Sequence, residues 1–278
     1  MRRAWIVTNP GSGSAGGKAG AALDALLNGA LADAGVEVAG RTIFPDEALP
    51  TAAGLDAAGV DTAVLFAGDG TVNACACALG SWSGALLILP GGTMNMLSHE
   101  LHGHADLTAI VRAAQERGRR VALPFATAEG HCAYVGLIVG PGSSWVRVRE
   151  AVRAHRWRAL GPAVRHAVAR TFGRGLRIEG LRGRPQAVYL RAEEDRLVVR
   201  AIDARSFRRI AELGWNWVTG DWVRAAAVTP LTLPRLRLRS RKPATALFDG
   251  EPRLLPVGAV ITPGRSRPIF LSTLPEVP

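Results

Sequence analysis

Three times within about the first hundred residues, a short apolar run ends in a glycine-rich polar loop that opens into a helix-like segment. Ala4 to Thr8 leads into Asn9-Pro10-Gly11-Ser12-Gly13-Ser14-Ala15-Gly16-Gly17-Lys18. Ala63 to Phe66 leads into Ala67-Gly68-Asp69-Gly70-Thr71, and Ala85 to Leu89 into Pro90-Gly91-Gly92-Thr93-Met94-Asn95. Strand, turn and helix repeated in this order give an open, largely parallel α/β sheet, whose ligands bind beyond the carboxyl ends of the strands. The pattern predicts strands at Ala4 to Thr8, Val36 to Phe44, Thr62 to Phe66 and Ala85 to Leu89. It predicts helices at Lys18 to Ala34, Asp46 to Ala58 and Val72 to Leu79, rich in Ala and Leu and bounded by Gly or Pro.

From about Leu123 the character changes. Arginine becomes frequent, and β-like runs such as Ala187 to Leu190, Arg196 to Ile202 and Leu231 to Leu238 follow without regular helices between them. One basic helical stretch, Val146 to Thr171, interrupts them and is broken near Gly161-Pro162. A second, β-rich domain is expected there.

The formal charge of +11 is uneven, since Arg147 to Arg184 holds eleven arginines against Glu150 and Glu179. Nucleic acid, an anionic membrane surface and a phosphorylated substrate would each suit such a patch; so would plain replacement of lysine by arginine on solvated faces. The apolar runs fall far short of the roughly 20 residues that span a bilayer, and Ala4 to Val7 is too short for a signal segment, so no transmembrane helix is expected. Cys75, Cys77 and Cys132 have neither disulfide-framework nor zinc spacing, which suits a reducing cytoplasm.

Each loop has a chemistry and a bland alternative. In the first, Gly11, Gly13 and Gly16 satisfy a dinucleotide pattern, but Thr42 to Phe44 lacks the acid that would hold a ribose. The P-loop pattern fails too, with five residues between Gly11 and Gly17-Lys18 and with Ala19 where a magnesium-binding hydroxyl is needed; a flexible loop is the alternative. In the second, Asp69 at a strand end is placed to hold magnesium or orient a hydroxyl, and Thr71 to donate to phosphate. The third loop falls on the same sheet edge. Near the other end, Asp249-Gly250-Glu251 sets two carboxylates in one turn, which alone reads as a hairpin tip.

Asn9-Pro10-x-Ser12-Gly13, Gly68-Asp69-Gly70-Thr71, Pro90-x-Gly92-Thr93-x-Asn95 and Asp249-Gly250-Glu251 together resemble the signature blocks of the diacylglycerol kinase family, which includes sphingosine and ceramide kinases and bacterial lipid kinases. Their order and spacing match over nearly the whole chain. NAD kinases and phosphofructokinases would share chiefly the Gly-Asp-Gly-Thr loop.

The resemblance implies an NAD-kinase-like, three-layered α/β domain over residues 1–122 that binds ATP with Mg2+. It also implies a β-sandwich-like lipid-binding domain over 123–266, a return to the first domain at 267–278, and a lipid entering between the domains. Asn9 and Ser12 would lie near the phosphates. Thr42, Ala67, Gly68, Asp69, Gly70, Thr71, Val72, Asn73, Gly92, Thr93 and Asn95 would serve the nucleotide, with Asp69 near its magnesium. Glu251 matches the family's general base, and Asp249 is its rival, placed either to brace the turn or to point to the metal.

Several positions depart from the family pattern. Ala67 replaces a usual glycine, Ala74 and Met96 stand where acids are common, and Arg184 to Leu197 lacks the run that holds a structural magnesium in many bacterial members, so that site is not assigned. The function implied is transfer of the ATP γ-phosphate to a lipid hydroxyl such as that of diacylglycerol, by a cytoplasmic protein peripheral to an anionic membrane, with no nucleic acid partner. The alternatives are a catalytically weakened lipid- or nucleotide-binding member of the same fold, and an NAD kinase.

Overall fold

The computed structural model describes the chain except residues 13–16, 93–94, 104–105, 141–174, 182, 186, 203–229, 268 and 276–278. The basic stretch Val146 to Thr171 lies outside the described residues, as does most of the arginine-dense region from Arg147 to Arg184. The chain divides into two compact units, Met1–Leu123 with Arg265–Pro278, and Pro124–Gly264.

The first unit is built on a six-stranded sheet. Its strands are β1 (Arg3–Thr8), β2 (Glu37–Ile43), β3 (Thr62–Ala67), β4 (Ala85–Pro90), β5 (Arg119–Val121) and, from the chain's end, β16 (Phe270–Ser272), in the order β2-β1-β3-β4-β16-β5. The first four run parallel, β16 continues parallel to β4, and β5 is antiparallel to β16. Every residue of β3 is buried, as expected of a central parallel strand covered on both faces. On one face Ile6, Val64, Phe66, Leu87 and Leu89 pack with Leu27 and Leu31 of α1 (Gly17–Asp33) and with Ile110 and Val111 of α5 (Leu107–Arg117). The remaining helices are α2 (Ala52–Ala57), α3 (Asp69–Ala78) and α4 (Met96–His102). Among the described residues no helix is long and apolar enough to cross a membrane.

Three predicted boundaries need correction. The helix expected over Asp46 to Ala58 is only α2, because Pro50 cannot continue a helix upstream and Thr51 caps the shorter one, accepting from Gly54 N at 3.1 Å. The helix expected from Val72 begins at Asp69: Gly68 is extended at its cap and its carbonyl accepts from Val72 N at 3.1 Å, so Asp69-Gly70-Thr71 is a first helical turn instead of a loop. The run Leu231 to Leu238 splits into β11 (Pro230–Leu233) and β12 (Leu236–Arg237) around Pro234.

The second unit holds two sheets. One has the order β11-β10-β9-β8-β13-β14, the other β12-β15-β6-β7. The new strands are β6 (Pro124–Ala128), β7 (His131–Ala133), β8 (Leu137–Val139), β9 (Ala187–Glu193), β10 (Arg196–Ile202), β13 (Ala244–Phe248), β14 (Glu251–Leu255) and β15 (Val260–Arg265). Side chains from both sheets, among them Ala126, Ile261, Val188, Leu190 and Phe248, share one buried cluster.

Candidate active site

The register of the parallel strands brings the loops together. Ile43, Thr8, Phe66 and Leu89 pair in sequence across β2, β1, β3 and β4, and Ala67 pairs with Pro90. Residues 9–12, 68–71 and 91–92 therefore leave the sheet at one level, with Thr42 one residue before the same edge.

Long-range hydrogen bonds then tie the first two loops together, and close backbone approach brings the third against the second. Asn9 Nδ2 donates to Thr71 Oγ1 at 2.8 Å, and Asn9 Oδ1 accepts from Gly11 N at 2.8 Å. Ser12, nearly buried, accepts through Oγ from Gly68 N at 3.1 Å. Asn95, at φ 50°, accepts through Oδ1 from Gly92 N at 2.6 Å. A Cβ on Gly92 would come within 2.6 Å of Gly68 Cα, and one on Gly91 within 2.5 Å of Ala67 N. Backbones that close admit only glycine.

Asp69 is half-buried in the first turn of α3, where a negative charge complements the helix dipole. Its Oδ1 lies 3.5 Å from Leu97 N at the start of α4. Gly68 supplies no side-chain cap, so nothing from the capping residue covers the N–H groups of that turn. Val72 is buried behind it, and Asn73 accepts from the Cys77 thiol at 3.7 Å. Cys75 faces inward, its thiol pushed up to about 12 by burial, and is inert; Cys77 is exposed.

Thr42 is buried, and its hydroxyl oxygen accepts from Trp5 Nε1 at 3.0 Å. The sequence reading missed this partner. Thr93 lies outside the described residues. Ala67 is the last residue of β3 and buried in the sheet, so the extra methyl is absorbed before the helix begins.

The second carboxylate pair lies in the other unit. Asp249 (φ 46°) and Gly250 (φ 89°) form the two-residue turn between β13 and β14, with Phe248 paired to Glu251. Positive φ at both positions is what a tight hairpin requires, and Asp-Gly supplies it. The Asp249 carboxylate accepts from Tyr134 N at 2.8 Å, Val135 N at 2.9 Å and Gly136 N at 2.9 Å. It braces the 134–136 segment. Glu251, first in β14, is exposed.

The model of the diacylglycerol kinase catalytic domain matches residues 3–124. The match spans most of the first unit and less than half of the chain, and it likens that unit to the family's catalytic domain. The whole chain is similar to the crystal structure of a diacylglycerol kinase from Bacillus anthracis str. Sterne, at a TM-score of 0.63 and 15% identity over 97% of this chain and 96% of that one. A candidate diacylglycerol kinase from the same organism aligns at 0.64 and 16%, over 100% and 99%. At such identities these structures speak to the fold alone. No curated protein matches the sequence. Within the matched segment, Asn9, Ser12 and Thr71 thus carry out an architectural task, holding the first two loops together at the start of α3, while Asn95 braces the third loop internally.

Proposed function

We propose that the chain transfers the γ-phosphate of ATP to a hydroxyl of a membrane lipid such as diacylglycerol. The observation that carries this reading is the cluster of three loops at the start of α3, the first two hydrogen-bonded to each other and the third packed backbone to backbone against the second, inside the segment that matches the kinase family. A helix start without a side-chain cap, flanked by glycines whose Cβ atoms would strike backbone, is a cradle of the kind phosphate needs. The residues also fit Mg2+, which typically takes one or two carboxylates together with substrate phosphates. Asp69 would hold the ion, which when bound neutralises phosphate charge.

In this reading the first unit is the nucleotide-binding domain, NAD-kinase-like and three-layered, and the second is a β-sandwich that takes the lipid. Gly68, Gly70, Gly92, Thr93 and the α3 backbone position the phosphates, and Thr42, Ala67, Val72 and Asn73 shape the nucleotide site. Glu251 accepts the proton of the lipid hydroxyl as its oxygen bonds to the γ-phosphorus; the bond from that phosphorus to the β–γ bridging oxygen breaks, and ADP leaves. Positioning and charge neutralisation supply most of the rate, as in other phosphoryl transfers. The protein works from the cytoplasm, at the surface of an anionic membrane. A catalytically weakened member of the fold is the second reading, favoured by Ala74 and Met96 where the family carries acids.

Incubating the protein with labelled ATP, magnesium and a total lipid extract, then identifying labelled lipid by mass spectrometry, tests the proposal. A new phospholipid is expected. Label confined to soluble products would overturn it, and nucleotide binding without turnover would favour the weakened reading.

A further inference from the structure

Residues 235–242 read Arg-Leu-Arg-Leu-Arg-Ser-Arg-Lys. The alternation is realised in space: Leu236 and Leu238 are buried at 1% and 0%, while Arg235, Arg237, Arg239, Arg241 and Lys242 are exposed. Arg177 joins them from the neighbouring segment, because Ile178 bridges to Leu238 and Arg239 N donates to Arg177 O at 2.7 Å. Among the described residues, Glu179 is the one carboxylate that ion-pairs with this row, at 3.6 Å to Arg237 and 3.2 Å to Arg239. Like charges side by side on a sheet repel, so an anionic counterpart would be stabilising.

A second observation identifies the counterpart. The two most exposed large apolar side chains among the described residues are Leu254 (68%) and Val257 (56%). They belong to the same corner. Ala244, two residues past Lys242, pairs with Leu255, and Leu238 N donates to Ala259 O at 2.9 Å. The turn at 256–258 is therefore pinned at both ends to the segment that carries Arg239, Arg241 and Lys242. Cations around a protruding aliphatic tip suit the boundary between headgroups and acyl chains. Single-stranded nucleic acid is gripped by aromatic stacking as well as charge, and neither 235–242 nor 252–258 contains an aromatic residue.

We propose that this corner of the second unit docks on anionic phospholipid membranes, Arg235 to Lys242 engaging headgroups while Leu254 and Val257 enter the interface. The proposal rests on the lipid-kinase reading for its biological sense, and centres the docking surface on Arg235 to Lys242, with Arg177 of the arginine-dense 147–184 region beside it.

Sedimentation of the whole chain with phosphatidylcholine vesicles, with and without phosphatidylglycerol, at low and high salt, tests it. The R235Q/R241Q/K242Q variant, which leaves the Glu179 pairs intact, should bind phosphatidylglycerol vesicles about a hundredfold more weakly at low salt. The L254S/V257S variant should lose about tenfold, with unchanged affinity for heparin, a soluble polyanion. Wild-type binding by the triple variant would overturn the proposal. So would heparin binding as tight as vesicle binding together with an L254S/V257S variant that behaves as wild type, which would mark a soluble polyanion site. Both variants should match wild type in phosphorylating diacylglycerol dispersed in neutral detergent. A chain that phosphorylates no lipid in any presentation would sink the kinase reading, whereas unchanged vesicle binding by the triple variant sinks only the docking surface.

Discussion

The chain contains two Asp-Gly pairs, and the structure uses their carboxylates in opposite ways. Asp69-Gly70 opens helix α3, where the carboxylate faces the helix dipole and lies 3.5 Å from Leu97 N. Asp249-Gly250 closes a β-hairpin, and its carboxylate takes three short hydrogen bonds from consecutive N–H groups of another segment. A carboxylate whose lone pairs are occupied by backbone holds structure. One left at a helix start, or exposed as Glu251 is, can meet a ligand. Of the two acids at the hairpin, Glu251 is thus the candidate for chemistry and Asp249 for stability.

The largest effect should come from Glu251→Gln, which keeps volume but cannot take a proton: kcat for lipid phosphorylation should fall by roughly three decades with nucleotide affinity and melting temperature unchanged. Full activity would return the base assignment to Asp69. Next, Asp249→Ala strands three backbone N–H groups and should cost about 3 kcal/mol, read as a lower urea midpoint with hydrogen exchange accelerated at residues 134–136. A neutral outcome would erase the contrast between the two turns.

Asp69→Asn should lower turnover at least about a hundredfold with the fold intact, since the amide keeps the shape and removes the charge. Loss of stability instead of activity would make both turns structural.

The smallest effect is on the acid limb of stability of the first unit. His102 is buried at the end of α4, its Nδ1 3.1 Å from Thr273 Oγ1 and its Nε2 without a hydrogen bond. Burial lowers its pKa from 6.5 to about 4, the Ile88 backbone working weakly the other way. The unfolded chain binds the extra proton first, so this contribution is intact above pH 6.5 and is lost as pH falls towards 4, on the order of 2 kcal/mol. Hydrogen exchange in α4 should quicken over that window. His102→Gln should flatten the dependence; an unchanged profile would assign it to other groups.

The alternation of apolar runs with Gly-rich loops was enough to determine the α/β class, the four parallel strands and the edge from which the loops emerge, because burial periodicity and turn chemistry are properties of neighbouring residues. It also showed Asp249-Gly250-Glu251 as a hairpin tip. It failed where a local signal competed: Pro50 shortened α2, Pro234 split the run at Leu231 to Leu238, and the Gly68 cap drew Asp69 into α3. Only the tertiary structure decided which polar side chains are committed. Asn9 meets Thr71 across 62 residues of sequence, Ser12 meets Gly68 across 56, and Asp249 meets Gly136 across 113. No pattern in the chain encodes such partners, since a hydrogen bond depends on two atoms meeting within about 3 Å, and that distance is set only when the sheets have formed and their strand ends align.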